Sequence, residues 1–333
     1  MTVTARTKTV LGVAAAAAVL AAPRVAAHRW SANPDLTDGA PLVLPEGEDR
    51  TVTTGDGARL AVRICGDPTS PTVVLIHGWT AEKRIWGPVA RRLVKDGRRV
   101  VVYDQRAHGS STAGIDGLTV AAIGDDVDSV LRTLDLRDVV LAGHSMGGMA
   151  VQSFASRHKD VLAERVASMV LVSTASSSVS LGPAFTRVAG AVVGSPRVDA
   201  AMRRPTLGPL LVRGSVGRKA SMTHLLATRE SFLATAPDTR RDFLEQMAIM
   251  DLRPELAGIH TPTVVVSGTR DTLLAHKLSK RLAASIPGAT LVAIPGAGHQ
   301  LPFEAPDRLA QILYDAGQAG SAGPVSRTEG SLP

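Results

Sequence analysis

The chain contains little from which covalent or metal cross-links could be built. Its 333 residues include one cysteine, Cys65, so an intramolecular disulfide is excluded and a thiolate metal site lacks a second ligand. Aromatic residues make up only 3% of the sequence, and Val, Leu, Ile and Ala must supply most of the packing volume. This composition favours a Val-rich parallel sheet covered by helices, with Cys65 as a small core residue.

The apolar run near the N-terminus is too short to span a bilayer comfortably. Residues 10–22 are uncharged and mostly alanine, whereas a membrane-spanning helix needs about 20 apolar residues. Arg6 and Lys8 precede the run, and Val25-Ala26-Ala27 follows it as a small-residue cleavage sequence. This order is typical of an export signal. We therefore predict that residues 1–27 are a signal or N-terminal anchor and that the protein is secreted or held in the cell envelope.

No recognisable nucleic-acid motif accompanies the net charge of +7, so nucleic acid is not expected as a partner. Arginines are scattered along most of the chain, which indicates a solvated basic exterior. One local excess of basic residues over acidic ones could contact an anionic lipid surface. It consists of Arg187, Arg197, Arg203, Arg204, Arg213, Arg218 and Lys219.

Two segments of low apolar content flank the predicted folded region. Residues 28–49 are rich in Pro, Asp and Gly and are predicted to be a linker. Residues 317–333 mix Gly, Ser, Ala and Pro without an apolar period and are predicted to be a disordered tail. The folded domain is accordingly placed at residues 50–316.

Within that domain, short apolar runs alternate with longer amphipathic segments. The runs predict strands at 58–64, 73–76, 100–103, 139–142, 167–172, 264–267 and 290–294, and the segments predict helices at 118–134, 146–158, 276–285 and 306–314. Strand-then-helix repetition requires crossovers, so the pattern predicts an α/β fold with a mostly parallel, doubly wound sheet. Residues 175–253 lack a strand pattern and predict a helical insertion.

A G-x-S-x-G sequence, Gly143-His144-Ser145-Met146-Gly147, lies directly after a predicted strand and before a predicted helix. A sharp strand-to-helix turn would push the Ser145 hydroxyl out of the sheet, and small neighbours leave room for that turn. The helix N-terminus favours developing negative charge. Ser145 is thus the candidate nucleophile.

Serine needs a base, and the base needs an acid that fixes its tautomer. His299 follows the last predicted strand in a Gly-rich loop, and Asp271 follows the strand before it. Asp271 could also simply cap the next helix. The chain order Ser, Asp, His at three strand ends favours a catalytic triad of Ser145, Asp271 and His299.

These motifs resemble those of the α/β-hydrolase family, in its lidded serine esterase and lipase-like branch, over about residues 50–317. The resemblance implies an α/β-hydrolase fold with a helical lid at 175–253. The segment His77-Gly78-Trp79 is similar to the family's H-G-x loop, which implies an oxyanion hole formed by the N–H groups of Trp79 and Met146. The segment from Asp104 to Ser110 resembles a loop that supports the nucleophile turn in this family, although Ala107 replaces its usual glycine.

The expected activity is hydrolysis of a small-molecule or lipid carboxylic ester through an acyl-enzyme on Ser145. No metal or organic cofactor is expected. A Met- and Leu-rich lid predicts an adaptable apolar pocket. Three alternatives on the same fold remain open: a cofactor-free perhydrolase or haloperoxidase-like enzyme, a carbon–carbon bond hydrolase, and a ligand-binding receptor. A serine at the nucleophile position argues against dehalogenases and epoxide hydrolases, which use aspartate there.

Overall fold

The computed structural model describes residues 33–178 and 183–321. In this part of the chain eight strands form a sheet in the order β1-β2-β4-β3-β5-β6-β7-β8. The strands are β1 Gly47–Thr53, β2 Arg59–Cys65, β3 Thr72–Ile76, β4 Arg99–Tyr103, β5 Val139–His144, β6 Val166–Val172, β7 Thr263–Gly268 and β8 Thr290–Ile294. β2 is antiparallel to both of its neighbours, and every other pair is parallel. The predicted α/β fold with a mostly parallel sheet is confirmed.

The described residues also form twelve α-helices. They are α1 Gly87–Lys95, α2 Val120–Thr133, α3 Met146–Arg157, α4 Lys159–Arg165, α5 Pro183–Val193, α6 Pro196–Met202, α7 Leu207–Val212, α8 Met222–Ala234, α9 Pro237–Ile249, α10 His276–Ser285, α11 Leu301–Glu304 and α12 Pro306–Ser321. Short 3-10 helices lie at Lys83–Trp86, Arg213–Ser215 and Arg253–Gly258.

Helices cover both faces of the sheet, and alternate residues of each strand point to opposite faces. In β3, Val74 and Ile76 belong to the apolar cluster that includes α2, α3 and α10. Val73 and Leu75 belong to a second cluster, with α1 and α12. Cys65 is fully buried in that second cluster, and burial raises its thiol pKa to about 11, so it is the small core residue that the sequence predicts.

The predicted linker is wrong at its C-terminal end, because residues 47–49 belong to β1. Only Val52 of this strand is buried, so β1 has no apolar alternation that a sequence pattern could reveal. Its register comes from antiparallel pairing with β2 along its whole length. The preceding segment is also fixed to the domain, since the Arg91 guanidinium donates hydrogen bonds to the carbonyl oxygens of Thr37 and Ala40, at 2.8 and 2.9 Å.

The predicted C-terminal boundary at 316 is also wrong, because α12 continues to Ser321. A Cβ atom placed on Gly317 would lie 3.2 Å from Cγ2 of Val140 in the central sheet. This close packing supports the last turn of the helix where composition alone gives no apolar signal. The rest of the predicted tail, like the predicted export signal, lies outside the described residues.

Helices α5 to α9 lie between β6 and β7, within the predicted insertion at 175–253. Part of this insertion has its own apolar core, which consists of Met202, Val212, Val216, Ala220 and Leu225. Leu225, with the partly buried Met222, Phe232 and Leu233 packed against this core, belongs to the Met- and Leu-rich set that predicted an apolar pocket, so these residues pack the insertion itself. No helix among residues 33–178 and 183–321 is long and apolar enough to cross a membrane.

Candidate active site

Three loops that carry the predicted triad leave the sheet at the carboxyl ends of parallel strands. Ser145 directly follows β5, Asp271 follows β7, and His299 follows β8. Parallel strands end at the same edge of a sheet, so the topology brings loops that are distant in sequence to one place. All three side chains are covered, because Ser145, Asp271 and His299 are only 9%, 6% and 4% exposed.

Ser145 occupies a strained backbone conformation, with φ 53° and ψ −117°. Such a conformation costs a non-glycine residue about 1–3 kcal/mol and persists only where the surroundings fix it. Here the Ser145 N–H donates to the carbonyl oxygen of Val172 at 2.9 Å, and the Thr174 hydroxyl donates to the Ser145 carbonyl oxygen at 2.7 Å. The end of β6 thus holds the turn that presents the Ser145 side chain.

The two glycines of the motif are required by close backbone packing. A Cβ atom on Gly143 would lie 2.2 Å from the carbonyl oxygen of Gly147. One on Gly147 would lie 2.4 Å from the carbonyl oxygen of Ile76 and 2.6 Å from that of His77. These contacts are shorter than real Cβ contacts, so the turn tolerates no side chain at either position.

His299 and Asp271 form a direct hydrogen bond, with 2.8 Å between Nδ1 of the imidazole and Oδ2 of the carboxylate. The other carboxylate oxygen of Asp271 accepts the N–H groups of Leu273 and Leu274, at 2.9 and 2.8 Å. Asp271 therefore both stabilises the turn that follows it and orients the imidazole. With the proton on Nδ1, Nε2 of His299 is left able to accept one.

The structure assembles the Asp271–His299 half of the predicted triad. Among the described residues, the Ser145 hydroxyl makes no hydrogen bond to His299. Catalytic hydrogen bonds are often long or misaligned in the absence of substrate, and a rotation about one side-chain bond changes them. His144, the residue directly before Ser145, nevertheless packs near the histidine. Its ring centroid lies 4.9 Å from that of His299.

The H-G-W loop lies against the nucleophile turn. A Cβ atom on Gly78 would come 3.0 Å from the Cβ of Ser145, so this loop passes directly beside the candidate nucleophile. Met146 is the first residue of α3, whose N–H has no partner within the helix. Among the described residues, the N–H of Trp79 donates no hydrogen bond either. The predicted oxyanion hole needs two N–H groups without a protein partner, and its formation stays a prediction.

A buried network fixes the H-G-W loop. Nε2 of His77 accepts the N–H of Gln105 at 2.9 Å, so its Nδ1 carries the proton and donates to the Gly78 carbonyl oxygen at 2.8 Å. The Gln105 side-chain amide donates back to the His77 carbonyl oxygen at 2.5 Å. Burial lowers the pKa of His77 and keeps the ring neutral. His77 is therefore a structural support of the loop.

The segment from Asp104 to Ser110, which resembles the family's supporting loop, has a structural role. Arg106 is buried and forms a two-point ion pair with Asp126 on α2, at 2.8 and 2.7 Å, and a second with Asp56, at 2.9 and 3.2 Å. Ala107 has φ 59°, in the left-handed region that favours glycine. Ala107 therefore adopts a backbone conformation that glycine would adopt without strain.

The insertion contacts this edge of the sheet at several points. The indole N–H of Trp79 donates to the carbonyl oxygen of Arg240 on α9, at 3.1 Å. The His299 N–H donates to the carbonyl oxygen of Ser215 at 3.0 Å. The Phe243 ring centroid, also on α9, lies 5.4 Å from that of His108. The insertion therefore contacts the H-G-W loop, the loop that carries His299 and the segment from Asp104 to Ser110, while its opening as a lid stays a prediction.

Two residues of the site gave no recognised signal in the sequence. Nε2 of His144 lies 2.9 Å from the carbonyl oxygen of His299. The carboxylate of Glu304 accepts hydrogen bonds from backbone N–H groups on both sides of His299. Charged residues are mostly exposed in proteins, and nothing in the sequence separates Glu304 from the other acidic residues.

No group of three or more His, Cys, Asp or Glu side chains that could hold a metal ion is found in the described part of the chain. The chemical resources of the site are an orientable serine hydroxyl, a histidine–carboxylate pair and two backbone N–H groups. This set suits nucleophilic attack on a carbonyl carbon.

The chain belongs to the α/β-hydrolase family. The sequence profile described as "Alpha/beta hydrolase family" matches residues 73–312, which is most of the chain and includes every candidate site residue. The predicted membership is confirmed, and the protein is a hydrolase related to esterases.

Similar proteins include several with hydrolase names. The bifunctional esterase/perhydrolase DCH of Acinetobacter calcoaceticus is 25% identical over 265 residues, which cover 75% of this chain and 93% of that protein. The enol-lactonase of Burkholderia xenovorans LB400 superposes with a TM-score of 0.69 at 27% identity, covering 80% and 99% of the two chains. An esterase of Exiguobacterium antarcticum has the same fold, with a TM-score of 0.71 at 19% identity and coverage of 81% and 100%.

Proposed function

We propose that this protein is a serine hydrolase that cleaves carboxylic esters through an acyl-enzyme on Ser145. The observation that carries the proposal is the 2.8 Å hydrogen bond between His299 Nδ1 and Asp271 Oδ2, at the sheet edge where Ser145 occupies its strained turn. The similarity to proteins named as an esterase/perhydrolase and an enol-lactonase supports an ester or lactone substrate.

In the proposed first half-reaction, Ser145 Oγ attacks the ester carbonyl carbon while Nε2 of His299 takes the hydroxyl proton. The negative charge that develops on the carbonyl oxygen is stabilised by the N–H groups of Trp79 and Met146. One such donor typically contributes about 3 kcal/mol to transition-state stability. The carbon–oxygen bond to the alcohol then breaks, and the imidazolium returns its proton to the leaving alkoxide.

In the second half-reaction, His299 takes a proton from water, and the resulting hydroxide equivalent attacks the acyl carbon. The bond to Ser145 Oγ breaks, the serine recovers the proton, and a carboxylic acid leaves. The Asp271 carboxylate accepts the Nδ1–H of His299 throughout and stabilises the imidazolium. Every proton transfer in this scheme uses residues of the chain, and no cofactor is part of it.

The experiment that tests the proposal is covalent labelling with a fluorophosphonate, followed by peptide mass spectrometry. The probe should modify Ser145, and Ser145→Ala should lose both labelling and ester hydrolysis. Because the side chain points into the site, its removal should leave the melting temperature nearly unchanged. Labelling of a different serine, or turnover by purified Ser145→Ala, would contradict the assignment.

A second candidate activity is perhydrolysis, in which hydrogen peroxide replaces water as the acyl acceptor. It is favoured by the similarity to a protein named as a bifunctional esterase/perhydrolase. The same acyl-enzyme serves both reactions, so the triad does not distinguish them. Formation of a peracid from acetate and hydrogen peroxide, compared with ester hydrolysis in the same preparation, distinguishes the two activities.

We also propose that the insertion contacts anionic lipid surfaces. Its basic side chains are exposed at Arg187, Arg197, Arg203, Arg204, Arg218 and Lys219. Apolar side chains are exposed on the same insertion: Val188 is 65%, Val192 52% and Leu211 48% exposed. On α5 the exposed Arg187, Val188 and Val192 share one helix, and a helix with exposed basic and apolar groups favours binding to a negatively charged interface.

Export is proposed from the N-terminal sequence alone. The catalytic domain would act outside the cytoplasm, on esters met there. N-terminal sequencing of the protein purified from its own host should show a start near residue 28 and a location in the medium or the envelope. An intact N-terminus on cytoplasmic protein would contradict the proposal.

A further inference from the structure

Glu304 is a buried carboxylate that the proposed chemistry does not use. It ends the short helix α11, five residues after His299. Burial raises its pKa above the usual value, while backbone hydrogen bonds and the neighbouring His299 act in the opposite direction. A carboxylate is costly to bury, so its partners are informative about its role.

Both oxygens of the Glu304 carboxylate accept backbone hydrogen bonds. Oε2 accepts the N–H of Gly298 at 2.9 Å, and Oε1 accepts the N–H of Gln300 at 3.0 Å. These residues directly precede and follow His299. One carboxylate therefore fixes the peptide groups on both sides of the candidate catalytic histidine.

The third hydrogen bond connects this loop to the insertion. Oε2 of Glu304 also accepts the N–H of Gly217, at 2.7 Å. Contact there is close, because a Cβ atom on Gly298 would lie 2.3 Å from the nitrogen of Gly217. The insertion is tied to the same region by the bond from the His299 N–H to the Ser215 carbonyl oxygen.

The loop that carries Asp271 is also hydrogen-bonded to the insertion and to the loop that carries His299. The Thr272 hydroxyl donates to the carbonyl oxygen of Gly214, and the Arg270 N–H donates to that of Ala297 at 2.9 Å. Residues 214–217 of the insertion thus contact both the loop that carries Asp271 and the loop that carries His299. Glu304 is the only side chain among the described residues that bonds at once to the insertion and to both peptide neighbours of His299.

From this arrangement we propose that Glu304 is a positioning residue, which holds the His299 imidazole in register with Ser145 by fixing its loop against residues 214–217 of the insertion. This inference rests on the proposed function of His299 as the base. A displacement of about 1 Å at a catalytic group can lower the rate about 100-fold. Glu304 should therefore affect the chemical step more than substrate binding.

The key variant is Glu304→Gln. Its amide has one acceptor oxygen, so it can preserve the shared bonds to Gly298 and Gly217 or the bond to Gln300, but its NH₂ group then faces another donor. Glu230→Gln is the matched control, because the Glu230 side chain is 58% exposed and bonds no backbone group of the site. The variants differ from the wild type by the same atoms.

We expect Glu304→Gln to lower kcat for p-nitrophenyl butyrate about 10- to 100-fold, with KM changed less than about threefold. Glu230→Gln should keep wild-type values. In a His299→Ala background, Glu304→Gln should leave the residual rate unchanged, because the group that it positions is gone. Wild-type kcat in Glu304→Gln, or an equal loss in the His299→Ala background, would overturn the inference.

Hydrogen exchange followed by mass spectrometry provides a readout that needs no activity. Glu304→Gln should speed amide exchange in peptides that cover residues 213–220 and 296–303, with no change in the central strands. Unchanged exchange in both segments would overturn the inference. Failure of the proposed function has a different signature, since wild-type protein would then show no fluorophosphonate label on Ser145, whatever the exchange of these segments.

Discussion

Nε2 of His144 lies 2.9 Å from the carbonyl oxygen of His299, so the residue before the candidate nucleophile bonds to the backbone of the candidate base. A carbonyl oxygen can only accept, and the His144 proton must therefore be on Nε2. Burial, with a further contribution from His299, lowers the pKa of His144 to about 3 and keeps this ring neutral. The neutral His144 ring thus links the turn that carries Ser145 to the loop that carries His299 by a hydrogen bond.

Neutral buried histidines make stability depend on pH. Burial, together with nearby His77, also lowers the pKa of His108 to about 3, against about 6.5 in an unfolded chain. Between these values the unfolded chain binds more protons, so stability is lost as pH falls through this window, by up to about 1.4 kcal/mol per pH unit for each histidine. Urea unfolding at pH 7.5 and pH 5 should show this loss.

His108→Gln should reduce the loss, because it removes one of the two histidines whose pKa falls to about 3. Nδ1 of His108 lies 3.1 Å from the Arg106 carbonyl oxygen, and the glutamine amide can still donate to that oxygen. The comparison uses the difference in unfolding free energy between the two pH values within each protein. An equal difference in wild type and variant would show that His108 titrates normally in the folded state.

Asp271→Asn separates the two roles of this carboxylate. The asparagine oxygen can still accept the N–H groups of Leu273 and Leu274, so the melting temperature should change little. The amide cannot accept the Nδ1–H of His299, and the wrong tautomer should lower kcat by about 10⁴. Asp251→Asn is the control, since Asp251 pairs with Arg253 on the surface. The reverse result, with Asp251→Asn inactive and Asp271→Asn active, would identify a different acid.

Ala107→Gly should stabilise the protein. A left-handed φ costs alanine about 1–2 kcal/mol, and the larger entropy of glycine in the unfolded chain offsets about 0.4–1 kcal/mol of the gain. The free energy of unfolding should rise by up to about 1.6 kcal/mol, as measured in urea. Ala163→Gly, on the exposed side of α4, is the control and should destabilise by about 0.5–1 kcal/mol. A loss of stability in Ala107→Gly would mean that its φ carries no strain.

Gly147→Ala should disrupt the nucleophile turn. Its new methyl group would meet backbone oxygens of Ile76 and His77, which cannot move without shifting β3. We expect a loss of about 1–3 kcal/mol in the free energy of unfolding and a loss of probe labelling at Ser145. Gly214→Ala is the control, because no atom lies within 4 Å of the new methyl group there. Normal labelling of Ser145 in Gly147→Ala would show that the turn accommodates a methyl group at this position.

Vesicle assays test the proposed lipid contact of the insertion. Activity on an ester carried in anionic vesicles should exceed that in neutral vesicles and fall with added salt, since the screening length is about 8 Å at physiological ionic strength. Arg203→Glu combined with Arg204→Glu should abolish the difference. The exposed pair Lys280 and Arg281 on α10, reversed in the same way, is the control. Equal activity on both vesicles in the wild type would reject the lipid contact.

The depth of the substrate pocket is measured with p-nitrophenyl esters of increasing acyl length. Each buried methylene contributes about 0.8 kcal/mol, so kcat/KM should rise several-fold per carbon until the pocket is full. A preference for acetate over every longer ester would reject an apolar pocket and favour the perhydrolase candidate.

Local sequence determined the α/β alternation and the position of the nucleophile turn. Buried parallel strands read as Val-rich runs because both faces are covered, and Gly143 and Gly147 mark the turn because only glycine fits there. Ser145, Asp271 and His299 are also located from the sequence, because each of them follows a predicted strand. These signals are local, since each depends on neighbours a few residues away.

Tertiary structure decided what depends on distant partners. β1 has no apolar alternation and forms by antiparallel pairing with β2 along its whole length. Apolar spacing predicts α12 as far as residue 314, but its continuation to Ser321 carries no such signal, and Gly317 in that continuation packs on the sheet. The bonds of His144 to His299 and of Glu304 to Gly217 join residues 155 and 87 positions apart in the chain. A hydrogen bond depends on distance and direction in space, and these arise only when the sheet places separate loops at one edge.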